Sequence, residues 1–287
     1  MSDVPLYSTL ISATQLRSLL ASGKPVALFD CSFDLTNVAA GRAAYQQAHI
    51  PGAIYLHLDE DLSGPVTGRN GNHPLPDPQV FAKRLAEYGL SKGQQVVVYD
   101  AQNATWAPRA WWMLRELGHE AVAVLDGGFQ AWRAAGGAVE SGAVAVKAPG
   151  NFSVTRQFSS IVDVDDVVAN IARQSFLVVD ARAPERYRGE EVLAVGKPGH
   201  IPGAVNRFYK DNLTASGEFK SPQQLASELG SVLGDVPASA AVLQCGSGVT
   251  ACVNALAFEV AGLSRPRLYP GSYSQWISDP SRPVAKP

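Results

Sequence analysis

The chain contains itself twice. His49-Ile50-Pro51-Gly52-Ala53 returns unchanged as His200-Ile201-Pro202-Gly203-Ala204, 151 positions on (200 less 49). The apolar run Pro25 to Asp30, ending in a carboxylate, is matched by Leu177-Val178-Val179-Asp180. The amphipathic stretch Pro78 to Tyr88 is matched by Ser221 to Leu233, and Leu125 to Trp132 by Arg267 to Trp276. Val97-Val98-Tyr99-Asp100 is matched by Val242-Leu243-Gln244-Cys245, displaced by 145 (245 less 100). A period of half the chain means a duplicated domain and excludes a solenoid, whose repeats run to roughly 20–50 residues. The spacing predicts a first domain over 1–140, a linker over 141–157 rich in Gly, Ala and Val, and a second domain over 158–287.

Within each copy, short apolar strands alternate with helical stretches. Ser12 and Thr14 stand where helix caps belong, before Leu16, Leu19 and Leu20, and Gly23 ends that helix. Ala39 to Ala48, Pro78 to Tyr88 and the Trp-rich Ala107 to Leu117 read as further helices, and Val96 to Tyr99 and Val122 to Leu125 as buried strands. This alternation predicts the α/β class: two similar domains, each a mainly parallel sheet flanked by helices. In such sheets ligands collect beyond the C-terminal strand ends. His49 and His200 open tight turns and are expected to brace them, and Asp30 and Asp180 to anchor loops at strand ends.

The 287 residues are 46% apolar and 17% charged, a globular composition. Net charge is −2 with no long basic run, which argues against nucleic acid and anionic membrane as partners. No apolar run is long enough to span a bilayer, and Met1 to Tyr7 lacks the signature of a secretory signal, so a cytoplasmic location is expected. Cys31, Cys245 and Cys252 do not make a disulfide framework. Cys252 is expected to be buried and Cys31 partly accessible. Asn103, Asn151 and Asn212 begin glycosylation-type triplets that read as chance matches. The residues call for neither a metal nor a cofactor, and a monomer is expected.

One stretch stands apart: Leu243-Gln244-Cys245-Gly246-Ser247-Gly248-Val249-Thr250-Ala251-Cys252. A buried strand ends at Cys245, two glycines shape a turn, and Val249 to Ala261 reads as a helix with apolar Val249, Val253, Leu256 and Val260. Backbone N–H groups of Gly246, Gly248, Val249 and Thr250 would converge near the thiol, and the helix dipole would add positive potential. A thiolate is favoured there, which makes Cys245 a candidate nucleophile. The alternative is a buried core cysteine. The first copy has Asp100 at the matching place, so it lacks this chemistry.

The repeated His-Ile-Pro-Gly-Ala, with Cys-Gly-Ser-Gly-Val-Thr-Ala in the second half alone, resembles the tandem rhodanese sulfurtransferases over nearly the whole chain. The cysteine loop is similar to that of the 3-mercaptopyruvate branch; the thiosulfate branch carries two basic residues where this chain has Gly246 and Ser247. The resemblance implies a ping-pong reaction. Cys245 would take sulfur from a small anionic donor, become a persulfide, and pass the sulfur to cyanide or to a thiol acceptor such as thioredoxin. It implies that Arg186 binds the donor's carboxylate or sulfonate, as a planar guanidinium can do bidentately. It implies further that Ser247 moves a proton with His73 and Asp59, with Asp61 close enough to exchange with Asp59. The branch's second arginine is missing from Glu190 to Lys197, leaving Arg188, Lys197 or Arg207 as substitutes. Phe33 occupies a place where relatives often carry a tryptophan. A cysteine-dependent phosphatase is disfavoured, since position 251, where such enzymes need arginine, is alanine. A persulfide carrier that never cleaves a small donor is the other reading kept open.

Overall fold

A computed structural model describes residues 6–146, 148–190 and 197–286. Glu191 to Gly196, the core of the stretch in which the second arginine is missing, lie outside the described residues. The fold divides into two compact units. The first gathers 1–63, 76–158 and 215–218; the second gathers 64–75, 159–214 and 219–287.

The first unit holds strands β1 (Leu10–Ile11), β2 (Val26–Asp30), β3 (Ile54–Tyr55), β4 (Gln95–Tyr99) and β5 (Val122–Leu125). They form a parallel sheet in the order β1-β5-β4-β2-β3. Every residue of β4 and β5 is buried, as expected of parallel strands covered on both faces. The helices are α1 (Ala13–Ala21), α2 (Ala40–Gln47), α3 (Pro78–Glu87), α4 (Ala107–Glu116) and α5 (Gly128–Ala134). Ser12 caps α1 through a capping box with Gln15, while Thr14 lies inside the helix. Asp77 caps α3, with Pro78 in its first turn, where the missing N–H costs nothing. Trp106 sits before α4, at its N-cap. His49 braces its turn as expected: Nδ1 bonds Tyr45 O at 2.7 Å and the ring stacks on Tyr45. Residues 148–152 form no regular element but dock on the first unit, with Gly150 N–H donating to Ala86 O and Phe152 N–H to Leu90 O.

Cys31 departs from expectation. It is 1% exposed, because its N–H donates to Tyr99 O and so carries the β2–β4 ladder one residue beyond Asp30. Burial, with Asp30, Asp100 and Asp61 nearby, pushes its thiol well above the ordinary range. Phe33 is also buried, edge-on to His57 and Trp106.

The second unit repeats the plan with β6 (Leu177–Asp180), β7 (Val205–Asn206), β8 (Ala241–Gln244) and β9 (Arg267–Leu268). These four strands are parallel in the order β7-β6-β8-β9. A lone parallel bridge, Ile161 to Leu268, stands where β1 stands in the first sheet. Around them lie α6 (Val164–Arg173), α7 (Pro184–Arg188), α8 (Pro222–Leu233), α9 (Ala251–Val260) and α10 (Ser272–Ile277). Val178 and Val242 join Ile201, Tyr269, Tyr273 and Trp276 in one apolar cluster. His200 repeats the role of His49, bonding Tyr187 O at 2.9 Å and stacking on that ring. Asp30 and Asp180 each accept a backbone N–H two residues on, from Ser32 and Arg182. Asn212 is wholly buried and bonds Asn254, which no glycan could accompany.

Candidate active site

β8 delivers Cys245 to the C-terminal edge of its sheet, where the thiol is 2% exposed. Gly248 N–H donates to Cys245 Sγ at 3.1 Å. That amide reaches the sulfur because Gly248 takes φ +81°, and a Cβ there would lie 2.2 Å from Pro270 O. The loop therefore needs glycine on two counts. α9 starts at Ala251, two residues later than the apolar pattern indicates. Val249 and Thr250 form a tight turn instead, with Cys252 N–H on Val249 O and Val253 N–H on Thr250 O. Cys252 is buried as expected. The positive end of α9 faces the 246–250 loop and favours negative charge there.

A second turn holds the loop from outside. Ser272 Oγ accepts Cys245 N–H at 3.1 Å and donates to Tyr269 O at 2.9 Å. Tyr273 N–H donates to Cys245 O and Ser274 N–H to Gly246 O. Ser272 holds a left-handed backbone, φ 52°, which costs a non-glycine residue roughly 1 kcal/mol or more. The first copy has Gly128 here, at φ 59°. Nothing in the local pattern marks Ser272, because its strain is visible only in the backbone.

The silent copy shows what an anion does in such a loop. Asp100 accepts N–H groups from Gln102 at 2.9 Å and from Trp106 and Ala107 at 2.8 Å. A carboxylate of the chain itself thus occupies the loop at the place that Cys245 takes in the second copy. Burial nevertheless raises the Asp100 carboxyl, and its backbone bonds oppose that rise.

Ser247 and His73 come together: His73 Nδ1 lies 2.8 Å from Ser247 Oγ. The sequence places His73 in the first half, yet residues 64–75 belong to the second unit, so the pair lies within one unit. Gly64 N–H on Pro74 O closes the base of this segment, and Asn72 N–H donates to Ser274 Oγ at 3.0 Å. Asp59 stays with the first unit, exposed, its N–H donating to His57 Nδ1. Asp61 is buried there, accepting from His57 N–H and the Tyr88 hydroxyl, so it is already committed.

The arginines divide sharply. Arg186 reaches the cysteine loop: its Nη2 and Nη1 stand 3.7 and 3.9 Å from where a Cβ on Gly246 would be. Arg188 is engaged at the surface, Nε and Nη2 donating to Glu190 at 2.7 and 2.8 Å. Arg207 is buried and donates to Asn212, Asp211 O and Glu228. Lys197 donates to the carbonyls of Pro280 and Arg282. Of the four cations, Arg186 is the one whose described contacts reach the cysteine loop. Among the described residues no His, Cys, Asp and Glu cluster is suited to a metal ion, and no helix is long and apolar enough to cross a membrane.

Comparison with known proteins identifies the family. The family model of the rhodanese-like domain matches residues 12–135 and 163–279. A Pseudomonas aeruginosa protein described as "Probable 3-mercaptopyruvate sulfurtransferase" is 43% identical over 96% of this chain and 97% of its own. The thiosulfate sulfurtransferase of Mus musculus is 34% identical over 95% of this chain and 93% of its own. The crystal structure of SseA from Escherichia coli, titled as a 3-mercaptopyruvate sulfotransferase, superposes with a TM-score of 0.79 at 31% identity, covering 93% of this chain and 99% of that one. With its two rhodanese-like domains and a cysteine loop in the second, the chain belongs to the tandem rhodanese-domain sulfurtransferases and is most like their 3-mercaptopyruvate branch.

Proposed function

We propose that this enzyme moves sulfur from 3-mercaptopyruvate through a persulfide on Cys245 to a thiol or to cyanide. The observation that carries the reading is the pairing of Ser247 Oγ with His73 Nδ1 at 2.8 Å, two residues from a thiol that accepts Gly248 N–H. Mercaptopyruvate needs a proton at its leaving carbon, whereas thiosulfate releases sulfite and needs none. A hydroxyl bonded to an imidazole beside the nucleophile serves the first donor specifically.

The Cys245 thiolate attacks the donor's sulfur. The S–S bond forms as the C–S bond breaks, and the electron pair leaves with carbon as the enolate of pyruvate. Ser247 gives that carbon its proton and is reprotonated through His73. Gly248 N–H, with the loop amides around it, steadies negative charge on sulfur, and Arg186 holds the donor's carboxylate. In the second half-reaction the acceptor attacks the outer sulfur, the S–S bond breaks, and the Cys245 thiolate returns. A nucleophilic thiol of this kind suits a reducing compartment such as the cytoplasm.

The test is product release from each donor. Pyruvate should appear from mercaptopyruvate with a higher kcat/KM than sulfite from thiosulfate, and Cys245→Ala should abolish both. Ser247→Ala should slow mercaptopyruvate turnover about 100-fold, the lower bound for general acid catalysis, and thiosulfate turnover little. Equal or better use of thiosulfate by the native enzyme defeats the donor assignment. If neither product appears while Cys245 accepts sulfur from a protein persulfide, the chain is a carrier.

A further inference from the structure

His73 is carried by a segment, residues 64–75, that must stay seated against the cysteine loop for the Ser247 bond to exist. One contact that seats it runs through Ser274. Ser274 N–H donates to Gly246 O at 2.9 Å, the carbonyl between Cys245 and Ser247. Its hydroxyl accepts Asn72 N–H at 3.0 Å and donates to Gly271 O at 3.2 Å. Asn72 precedes His73, and His73 returns to Ser247. One circuit therefore runs Ser274, Gly246, Ser247, His73, Asn72 and back to Ser274.

The silent copy lacks this arrangement. Phe129 and Tyr273 are equivalent, because their N–H groups bond the carbonyls of Asp100 and Cys245 respectively. That alignment sets Gln130 opposite Ser274. The hydroxyl is present in the unit that holds Cys245 and the His73 segment, and the matching position of the other unit carries a glutamine.

We propose that Ser274 is a positioning residue for the proton-handling pair: its hydroxyl fixes Asn72 and thereby the distance from His73 to Ser247. This rests on the reading of Ser247 and His73 given above. The side chain does not hold Cys245, whose N–H goes to Ser272 and whose carbonyl goes to Tyr273 N–H. Its removal should therefore uncouple the histidine and leave the nucleophile in place.

The experiment compares Ser274→Ala, Ser274→Thr, Ser247→Ala and His73→Ala in the full chain. Ser274→Ala should lower kcat for mercaptopyruvate about tenfold with KM within twofold. Thiosulfate turnover and the rate of Cys245 alkylation by iodoacetamide should not change. Ser274→Thr, which keeps the hydroxyl, should restore kcat. The NMR titration of the His73 ring should shift in Ser274→Ala in the same sense as in Ser247→Ala. If Ser247→Ala and His73→Ala discriminate between donors while Ser274→Ala does not, the positioning role is overturned and the proton reading stands. If Ser247→Ala and His73→Ala affect both donors alike, the proton reading falls and the role of Ser274 with it. If Ser274→Ala slows alkylation of Cys245, the residue serves the cysteine loop and the proposal is overturned.

Discussion

Gly71→Ala tests the seating of the His73 segment by steric means alone. Gly71 is buried at φ +86°, and a Cβ there would lie 2.6 Å from Gly271 O and 3.2 Å from Gly271 C and Cα. Those atoms are backbone, held by the turn that also binds Gly246 and Cys245, so they cannot rotate away. Ordinary contact begins near 3.4 Å, so the two segments must part by about 0.8 Å. Passed to His73 two residues on, that displacement stretches its 2.8 Å bond to Ser247 toward about 3.6 Å, beyond hydrogen-bond reach. The left-handed backbone adds roughly 1–2 kcal/mol for a residue with a Cβ. Loss of a general acid predicts at least about a 100-fold fall in mercaptopyruvate kcat/KM. Thiosulfate turnover should stay within about threefold, and the melting temperature should drop by a few degrees, as a loss of roughly 1–2 kcal/mol implies. Stopped-flow detection of pyruvate and sulfite, with a thermal melt of the same sample, measures all three. Equal losses on both donors, or a lowered melting temperature with mercaptopyruvate turnover intact, would refute the reasoning.

Two further predictions follow from the charged groups. Arg186→Lys should raise KM for both donors about tenfold by removing the planar fork, while Arg188→Ala should change neither constant more than about twofold because Glu190 already holds Arg188; the reverse ranking in steady-state kinetics would reassign the anion clamp. Burial holds the Asp30 carboxyl up at about 6, against the opposing bonds from Ser32 and Tyr99. The folded state thus keeps its proton longer than the unfolded chain, so this contribution to stability is full below about pH 4 and is lost as pH rises through 6. Asp30→Asn, which keeps the acceptor for Ser32 N–H, should stabilise by up to about 3 kcal/mol at pH 8 and by little near pH 4. Equal changes in melting temperature at both pH values would show that Asp30 does not titrate in this range.

The duplication, the parallel sheets and the position of Cys245 were legible because each rests on local pattern. Val96 to Tyr99 in β4 and Ala241 to Leu243 in β8 are continuous apolar runs, and the glycines after Cys245 mark a tight turn. The two-residue strands β1, β3, β7 and β9 are not legible in this way, since two residues carry no period. Cys31 is buried where a strand end suggests access, because its N–H prolongs the ladder onto Tyr99 O, a pairing the local pattern does not carry. The commitments of Arg188 to Glu190 and of Arg207 to Glu228 depend on side-chain neighbours that composition cannot rank. The seating of residues 64–75 on the second unit is the largest gap. It rests on the glycine pair Gly71 and Gly271 and on Asn72 with Ser274, contacts between residues 200 or more positions apart.

The carboxylate of Asp100 has a consequence for what the first copy can become. Where the second copy carries the Cys245 thiol, the first carries an anion of its own. That anion now satisfies three backbone N–H groups and holds the start of α4. Returning cysteine to position 100 would leave those donors with a poorer acceptor, at a cost of roughly 1–3 kcal/mol for each one left buried without a bond. Asp100 is therefore a structural group, and a cysteine cannot replace it in one step without loosening the loop that leads into α4.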